Sequence, residues 1–375
     1  MAKVLVTGAA GFVGSHLVDS LLADGHEVTG IDNFSTGNQA NIAHLADNKN
    51  FTFAERDIVT GLGDIEKVEF DQIFHLASPA SPPHYMRLAL ETMHVNTIAT
   101  EKLLEHATKN GSRLLFASTS EIYGDPHEHP QKESYWGNVN PIGPRSIYDE
   151  AKRFGETLLS HFNRSEGTNT VIVRIFNTYG PRMDPDDGRV VSSFIRDGIK
   201  GLPFQVFGDG KQTRSFCFVS DLVAGLRAAM DSGITGPVNL GNPNEFTLLE
   251  LATKVGSVLG IEPVLEFKDL PADDPKQRQP DISYAKSALN WEPKIQLAED
   301  IQEIVLEGET LVGKSFVISG VFENFEREEL KAKIIANGGK VVSSISSKLD
   351  YLVAGNNMGP AKLEKATQLN IKILS

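Results

Sequence analysis

The chain of 375 residues contains one cysteine, Cys217. A single thiol can form neither an internal disulfide nor a Cys-rich metal site. Within the apolar run "RSFCFVS" it is expected to be a buried strand residue. The ten histidines show no helical metal-binding spacing, and "HEHP" at 127–130 reads as a loop, so no metal is expected. No stretch approaches about eighteen unbroken apolar residues, so no membrane span is expected. No charged and apolar signal segment precedes the first apolar run, "KVLVTG", and a cytoplasmic location is expected. Basic charge is also short: 36 Lys and Arg face 49 Asp and Glu, for a formal net charge of −13. Such a surface disfavours nucleic acid and anionic membranes as general partners. The deficit is uneven. From Leu311 onward nine Lys and Arg outnumber six Asp and Glu, so the tail is of a different charge class from the rest.

Glycine, by contrast, is plentiful and placed. The β-branched run at 3–8 ends in "GAAGFVGSHLVDSLLADG", where Phe12, Val13, Leu17, Val18, Leu21 and Leu22 recur at helical spacing up to Gly25. "HEVTGID" at 26–32 is the next strand. Further strands are expected at "FTFAERD", "DQIFHLAS", "RLLFAS" and "TVIVRIFN", with long helices over 87–109 and 146–165. This alternation predicts an α/β fold, a doubly wound parallel sheet of the Rossmann type. Gly8, Gly11 and Gly14 form a GxxGxxG turn between strand and helix. There the backbone can approach a pyrophosphate, and the helix N-terminus offers free N–H groups to it. Asp32 closes the second strand. A carboxylate there accepts bonds from an adenosine ribose and repels a 2′-phosphate, which favours NAD over NADP. Asp57, ending the third strand, is within reach of the adenine amino group.

A second constellation lies downstream. "STSEIYG" puts Thr119, Ser120 and Glu121 at the end of a strand, and "YDEAK" puts Tyr148 and Lys152 on one face of a helix. A fixed ammonium beside a phenol is expected to lower the phenol's pKa from about 10 towards neutrality. Such a tyrosine can take a proton from a sugar hydroxyl as hydride leaves for nicotinamide, with Thr119 bonding the same oxygen.

"TGAAGFVGSH", "YDEAK" and "RIFNTYGPR" resemble the extended short-chain dehydrogenase/reductase family, which acts on nucleotide sugars. "HLASPASPPHYM", "YWGNVNPIGPRSIYDEAKR", "DDGRVVSSFI", "QTRSFCFVSDL" and "DDPKQRQPDISYAKSALNWEP" narrow the likeness to its UDP-glucuronate decarboxylase (UDP-xylose synthase) branch, over about residues 1–305. The resemblance implies an NAD-binding domain at 1–180 and a UDP-sugar lobe at 181–307, with some later segments returning to the first domain. Tyr148, Lys152, Thr119 and Glu121 would be catalytic. Gly8, Gly11, Phe12, Val13, Gly14, Asp32, Asn33, Phe34, Asp57, Ile58, Leu76, Ser78, Tyr148, Lys152 and Thr178 would hold NAD. Tyr85, Asn177, Arg189, Gln212, Arg214 and Arg278 would hold the substrate. It also accounts for Ser120. Dehydratase relatives carry an aspartic acid there to protonate a leaving 6-hydroxyl, whereas departing carbon dioxide needs no acid. Glu121 would position the sugar or relay the C5 proton. Relatives of this kind form dimers through the helices at 87–109 and 146–165. Enzymatic alternatives are nucleotide-sugar 4-epimerisation and 4,6-dehydration.

From Leu311 the pattern restarts. A strand at 315–319, a helix at 326–337 ended by Gly338 and Gly339, strands at 340–342 and 350–353, a helix from about 360 and a last strand "IKIL" are expected. "GKSFVISG", "NGGKVVSSIS" and "GPAKLEKATQLNI" resemble part of a BRCT domain, most closely that of NAD-dependent DNA ligases. The resemblance assigns 308–375 to this module, with Ser319, Gly320, Arg327 and Lys362 as its phosphate site. It offers the remaining alternative, a DNA- or phosphoprotein-binding protein.

Overall fold

A computed structural model describes residues 1–270, 277–297, 314–320, 327–336, 340–346, 348–355, 358, 360–369 and 371–374. The chain divides into two compact units, Met1–Ile304 and Val305–Ser375.

The first unit is built on a seven-stranded sheet, all of it parallel. Its strands are β1 (Lys3–Thr7), β2 (Glu27–Asp32), β3 (Phe51–Glu55), β4 (Gln72–His75), β5 (Arg113–Thr119), β6 (Thr170–Ile175) and β7 (Pro237–Leu240). They lie in the order β7-β6-β5-β4-β1-β2-β3. The order reverses direction between β1 and β4, and ligands of such sheets bind at the carboxyl ends beside that reversal. The register brings the chemistry to that edge. Thr7 pairs with both Ile31 and His75, His75 with Phe116, and Thr119 with Ile175. Leu5, Ile31, Ile73, Leu103, Phe116 and Ile172 join one buried apolar cluster between sheet and helices, which is why these strands read as near-continuous apolar runs.

The helix Ser146–Ser165 matches the expected 146–165 and buries Tyr148, Asp149, Ala151, Lys152, Gly155 and Leu159. Gly155 lets it lie close to β5, since a Cβ there would sit 2.5 Å from the Phe116 ring. The helix expected over 87–109 is instead three: Pro82–Arg87, Ala89–Asn96 and Ile98–Asn110. Threonine hydroxyls turn back on the chain at both breaks, Thr92 to the Leu88 carbonyl and Thr97 to that of Met93, each at 2.7 Å. Back-bonding of this kind bends helices, and apolar periodicity does not register it. Met86, Leu90 and Met93 of this stretch are exposed, as is Phe154 of the helix packed against it.

Segments after residue 180 form small two- and three-stranded sheets and also return to the large sheet. Pro237–Leu240 supplies β7, covered by the helix Val219–Asp231. Thr213–Ser215 pairs with Glu245–Thr247 and with Gln277–Arg278, which sets Arg278 directly beside Arg214. Cys217 is buried in the short strand Cys217–Phe218.

The second unit has a four-stranded parallel sheet in the order Lys340–Val341, Ser315–Ser319, Tyr351–Ala354, Lys372–Leu374. The helices Arg327–Ala336 and Pro360–Gln368 accompany it. Val317, Leu352, Ala366 and Ile371 form its core. The glycine pair expected to end the first of these helices lies outside the described residues.

Candidate active site

The glycine turn joins β1 to the helix Phe12–Ala23. A Cβ on Gly14 would lie 1.9 Å from the Gly8 carbonyl oxygen, and one on Gly8 would lie 2.9 Å from the Ala77 nitrogen. Only glycine lets this turn close. Asp32, at the end of β2, accepts from the Ala10 N–H (3.0 Å) and the Phe34 N–H (2.8 Å). Burial pushes its carboxyl up and these bonds pull it back. Asp32 therefore ties the turn to the loop after β2, and each oxygen keeps capacity for a further donor. Asn33 accepts from Ser35 N–H, and Phe34 holds a left-handed backbone at φ 55°. Asp57 caps the short turn Ile58–Thr60 through Val59 N–H at 2.9 Å. Ser78 donates to the Pro79 carbonyl and accepts from Asn96. Thr178 is buried and donates to the Phe176 carbonyl. A glycine cradle, a helix N-terminus and a strand-ending carboxyl together fit a dinucleotide.

Tyr148 stands across the sheet edge, 5% exposed. Its phenol shares a hydrogen bond with Thr119, whose Oγ1 also accepts the Glu121 N–H. Tyr85, fully buried, stacks on Tyr148 at 5.0 Å and 7°. Lys152 sits on the same helix face as Tyr148, but its ammonium donates to the Ala117 carbonyl at 2.7 Å and lies 5.7 Å from the Tyr148 ring centre. The expected lowering of the phenol is not found. Burial pushes it well above its ordinary range, the Thr119 bond opposes that, the charges of Glu121 and Asp149 add to it, and Arg189 again opposes. Lys152, also buried, is brought down to about 7 by desolvation.

Glu121 is clamped. Arg145 donates to its Oε2 at 2.6 Å, and Arg278 donates to its Oε1. Arg278 also bonds the Gly124 carbonyl. Burial raises the Glu121 carboxyl, but Arg278 and Arg145 outweigh it and hold the group ionised. Neither Arg145 nor Asp149 was picked out from the sequence. One turn of helix separates Arg145 from Asp149, and that i, i+4 spacing around Tyr148 was the available signal. Asp149 is buried, and burial followed by the Glu121 charge raises it to about 7.

The remaining expected substrate residues are dispersed around this centre. Arg189 is held by Asp187 and lies over the Phe12 ring at 5.9 Å, beside the glycine turn. Arg214 donates to the Thr213 carbonyl. Gln212 is turned to the Phe207 carbonyl, and Asn177 accepts Cys217 N–H through its backbone. In the second unit Lys362 donates to Ser319 at 3.3 Å, Gly320 has φ 103°, and Arg327 donates to the Ile318 carbonyl. Among the described residues no group of His, Cys, Asp and Glu could hold a metal ion, and no helix is long and apolar enough to cross a membrane.

A glycine-cradled switch point facing a Tyr–Lys helix defines a dinucleotide-dependent enzyme class. Residues 4–241 match the model of the NAD dependent epimerase/dehydratase family, and the chain belongs to that family. Curated relatives include UDP-glucuronic acid decarboxylase 1 of Arabidopsis thaliana, 55% identical over 303 residues (81% of this chain, 69% of that protein). The protein of the same name from Danio rerio is 50% identical, over 81% of this chain and 72% of its own length. Among solved structures, UDP-glucuronic acid 4-epimerase of Bacillus cereus, in complex with UDP-glucuronic acid and NAD, aligns with TM-score 0.73 and 29% identity. That alignment covers 81% of this chain and 98% of the other. Residues 307–375 match the BRCA1 C Terminus (BRCT) domain model.

Proposed function

We propose that the chain decarboxylates UDP-glucuronate to UDP-xylose. The supporting observation is the Thr119–Ser120–Glu121 turn beside Tyr148, in a chain 50–55% identical over 303 residues to UDP-glucuronic acid decarboxylases. The glycine turn and Asp32 would hold NAD, which when bound supplies the oxidation at C4 and its reversal. Tyr148 in its ionised form, which burial makes scarce but strongly basic, takes the C4 hydroxyl proton and, with Thr119, holds the C4 oxygen. Once C4 is a ketone, the C5 carboxylate belongs to a β-keto acid. Its C–C bond breaks as electrons pass to the C4 oxygen, where the two hydroxyls stabilise the developing oxyanion, and the enolate then takes a proton from solvent at C5 before C4 is reduced again. Ser120 is buried and offers no acidic proton, consistent with a leaving group that needs none. Glu121, kept ionised by two arginines, suits positioning rather than proton relay. The expected outcome of incubation with UDP-glucuronate and no added NADH is equimolar carbon dioxide and a UDP-pentose. A product of unchanged mass would instead mark an epimerase.

The exposed Met86, Leu90, Met93 and Phe154 support the homodimer implied by the family resemblance. Sedimentation of the intact chain at twice its monomer mass is expected, and monomer mass at micromolar concentration would remove that part of the reading.

For the tail, the approach of Lys362 to Ser319 supports a phosphate cradle. A phosphopeptide or nicked DNA should bind the whole chain and lose affinity on Lys362→Ala. Binding that the substitution leaves unchanged would rule the cradle out.

A further inference from the structure

Asp149 follows Tyr148 in the first turn of its helix and is 5% exposed. Its Oδ1 is buried without a hydrogen-bond partner, and so is the hydroxyl of Tyr85, the ring that stacks on Tyr148. A carboxyl in that condition is tolerated far better with its proton than without it. Glu121 differs in being bound by two guanidiniums. Asp149 has no ion pair among the described residues.

We propose that Asp149 serves the decarboxylation as a neutral acid, and that its ionisation selects against the carboxylate of the incoming sugar. The inference rests on the function proposed above. The hexuronate carboxylate is carried on C5, one carbon from the C4 oxygen that Tyr148 would serve. The charge of Asp149 is felt at the Tyr148 phenol, so it is felt at that carboxylate too. Protonated, Asp149 leaves the site able to accept a second anionic group beside Glu121. Ionised, it adds a second negative charge beside Glu121, which Arg145 and Arg278 offset only in part.

The groups facing Asp149 come from four elements. Arg145, Tyr148 and Glu150 lie on its own helix, and Tyr85 on Pro82–Arg87. Glu121 comes from the turn after β5, and Arg278 from the short strand Gln277–Arg278. Glu91 and His94, on the adjoining helix, are exposed to solvent. Burial and Glu121 raise the Asp149 carboxyl, while Arg145 and Arg278 lower it. The raised group is neutral below its pKa and charged above it. Affinity for a carboxylate ligand should therefore fall as pH rises through neutrality.

The test uses the full chain carrying Tyr148→Phe, which slows turnover about a thousandfold and leaves binding to be measured. Calorimetric titration with UDP-glucuronate and with UDP-glucose is run from about pH 6 to 8.5. Affinity for UDP-glucuronate should fall about tenfold across that range relative to UDP-glucose. Adding Asp149→Asn, or Asp149→Ser as a second variant, should flatten the dependence. A slope that persists in both variants, or that UDP-glucose shares, overturns the proposal. Lys152 titrates in the same range and is unaltered in these variants, so a slope due to it would persist. If the protein bound UDP-glucose but not UDP-glucuronate, the decarboxylase reading and this inference would fall together. A persistent slope in an enzyme that still decarboxylates would overturn the Asp149 role alone.

Discussion

Tyr148→Phe should lower kcat for carbon dioxide release by about three orders of magnitude, within the span expected for loss of a general acid–base group. The substitution removes one buried hydroxyl and little else. The ring keeps its stack on Tyr85, so the pocket wall stays in place and KM should move by no more than a few-fold. Thr119 keeps the N–H of Glu121 as a donor, so the end of β5 remains held. The loss should appear in kcat and not in binding, which steady-state kinetics and nucleotide-sugar titration on the same preparation separate. Burial raises the phenol above its ordinary range, so its proton is strongly held whenever it is present. A phenol in this setting is suited to keeping a proton on or near the C4 oxygen. Near-normal turnover in the phenylalanine variant would remove Tyr148 from the chemistry and with it the mechanism above.

The parts of this site that were legible beforehand are those with a local signature. The strand–turn–helix unit shows itself because a continuous apolar run gives way to helical spacing after Gly8, and the Tyr148 helix because its buried positions recur at 3.6 residues. The breaks near residues 88 and 97 were invisible because they depend on where a threonine hydroxyl finds its acceptor. The direction of Lys152 was equally hidden. Spacing puts it on the Tyr148 face, but the acceptor that claims its ammonium is the carbonyl of Ala117, 35 residues earlier. The Glu121 clamp is the extreme case. Its partners lie 24 and 157 residues away in sequence, and Arg278 comes into range through pairing of Gln277–Arg278 with Thr213–Ser215 and of Pro280 with Gln131.

That clamp yields the second large effect. Glu121→Gln keeps the shape and one acceptor but leaves the Arg145 and Arg278 guanidiniums without their shared counter-charge. Removing one partner of a buried ion pair costs about 3–5 kcal/mol. In a unit of this size that corresponds to a fall in melting temperature of about 5–8 °C. The sign with pH follows from the direction of the Glu121 shift. Its folded carboxyl is held below the ordinary value of 4.5. The clamp therefore contributes fully above that value and is lost as pH falls towards the folded pKa. The gap in melting temperature between wild type and variant should be widest at neutral pH and close in acid. Turnover should fall with it, because Arg278 reaches the site from the short strand Gln277–Arg278 and Glu121 is what it binds there. A proton relay at the same position would behave differently. It would remove one limb of the pH–rate profile and leave thermal stability nearly unchanged. Calorimetry and a pH–rate profile on the one variant decide between a carboxylate that moves a proton and one that holds two arginines in place.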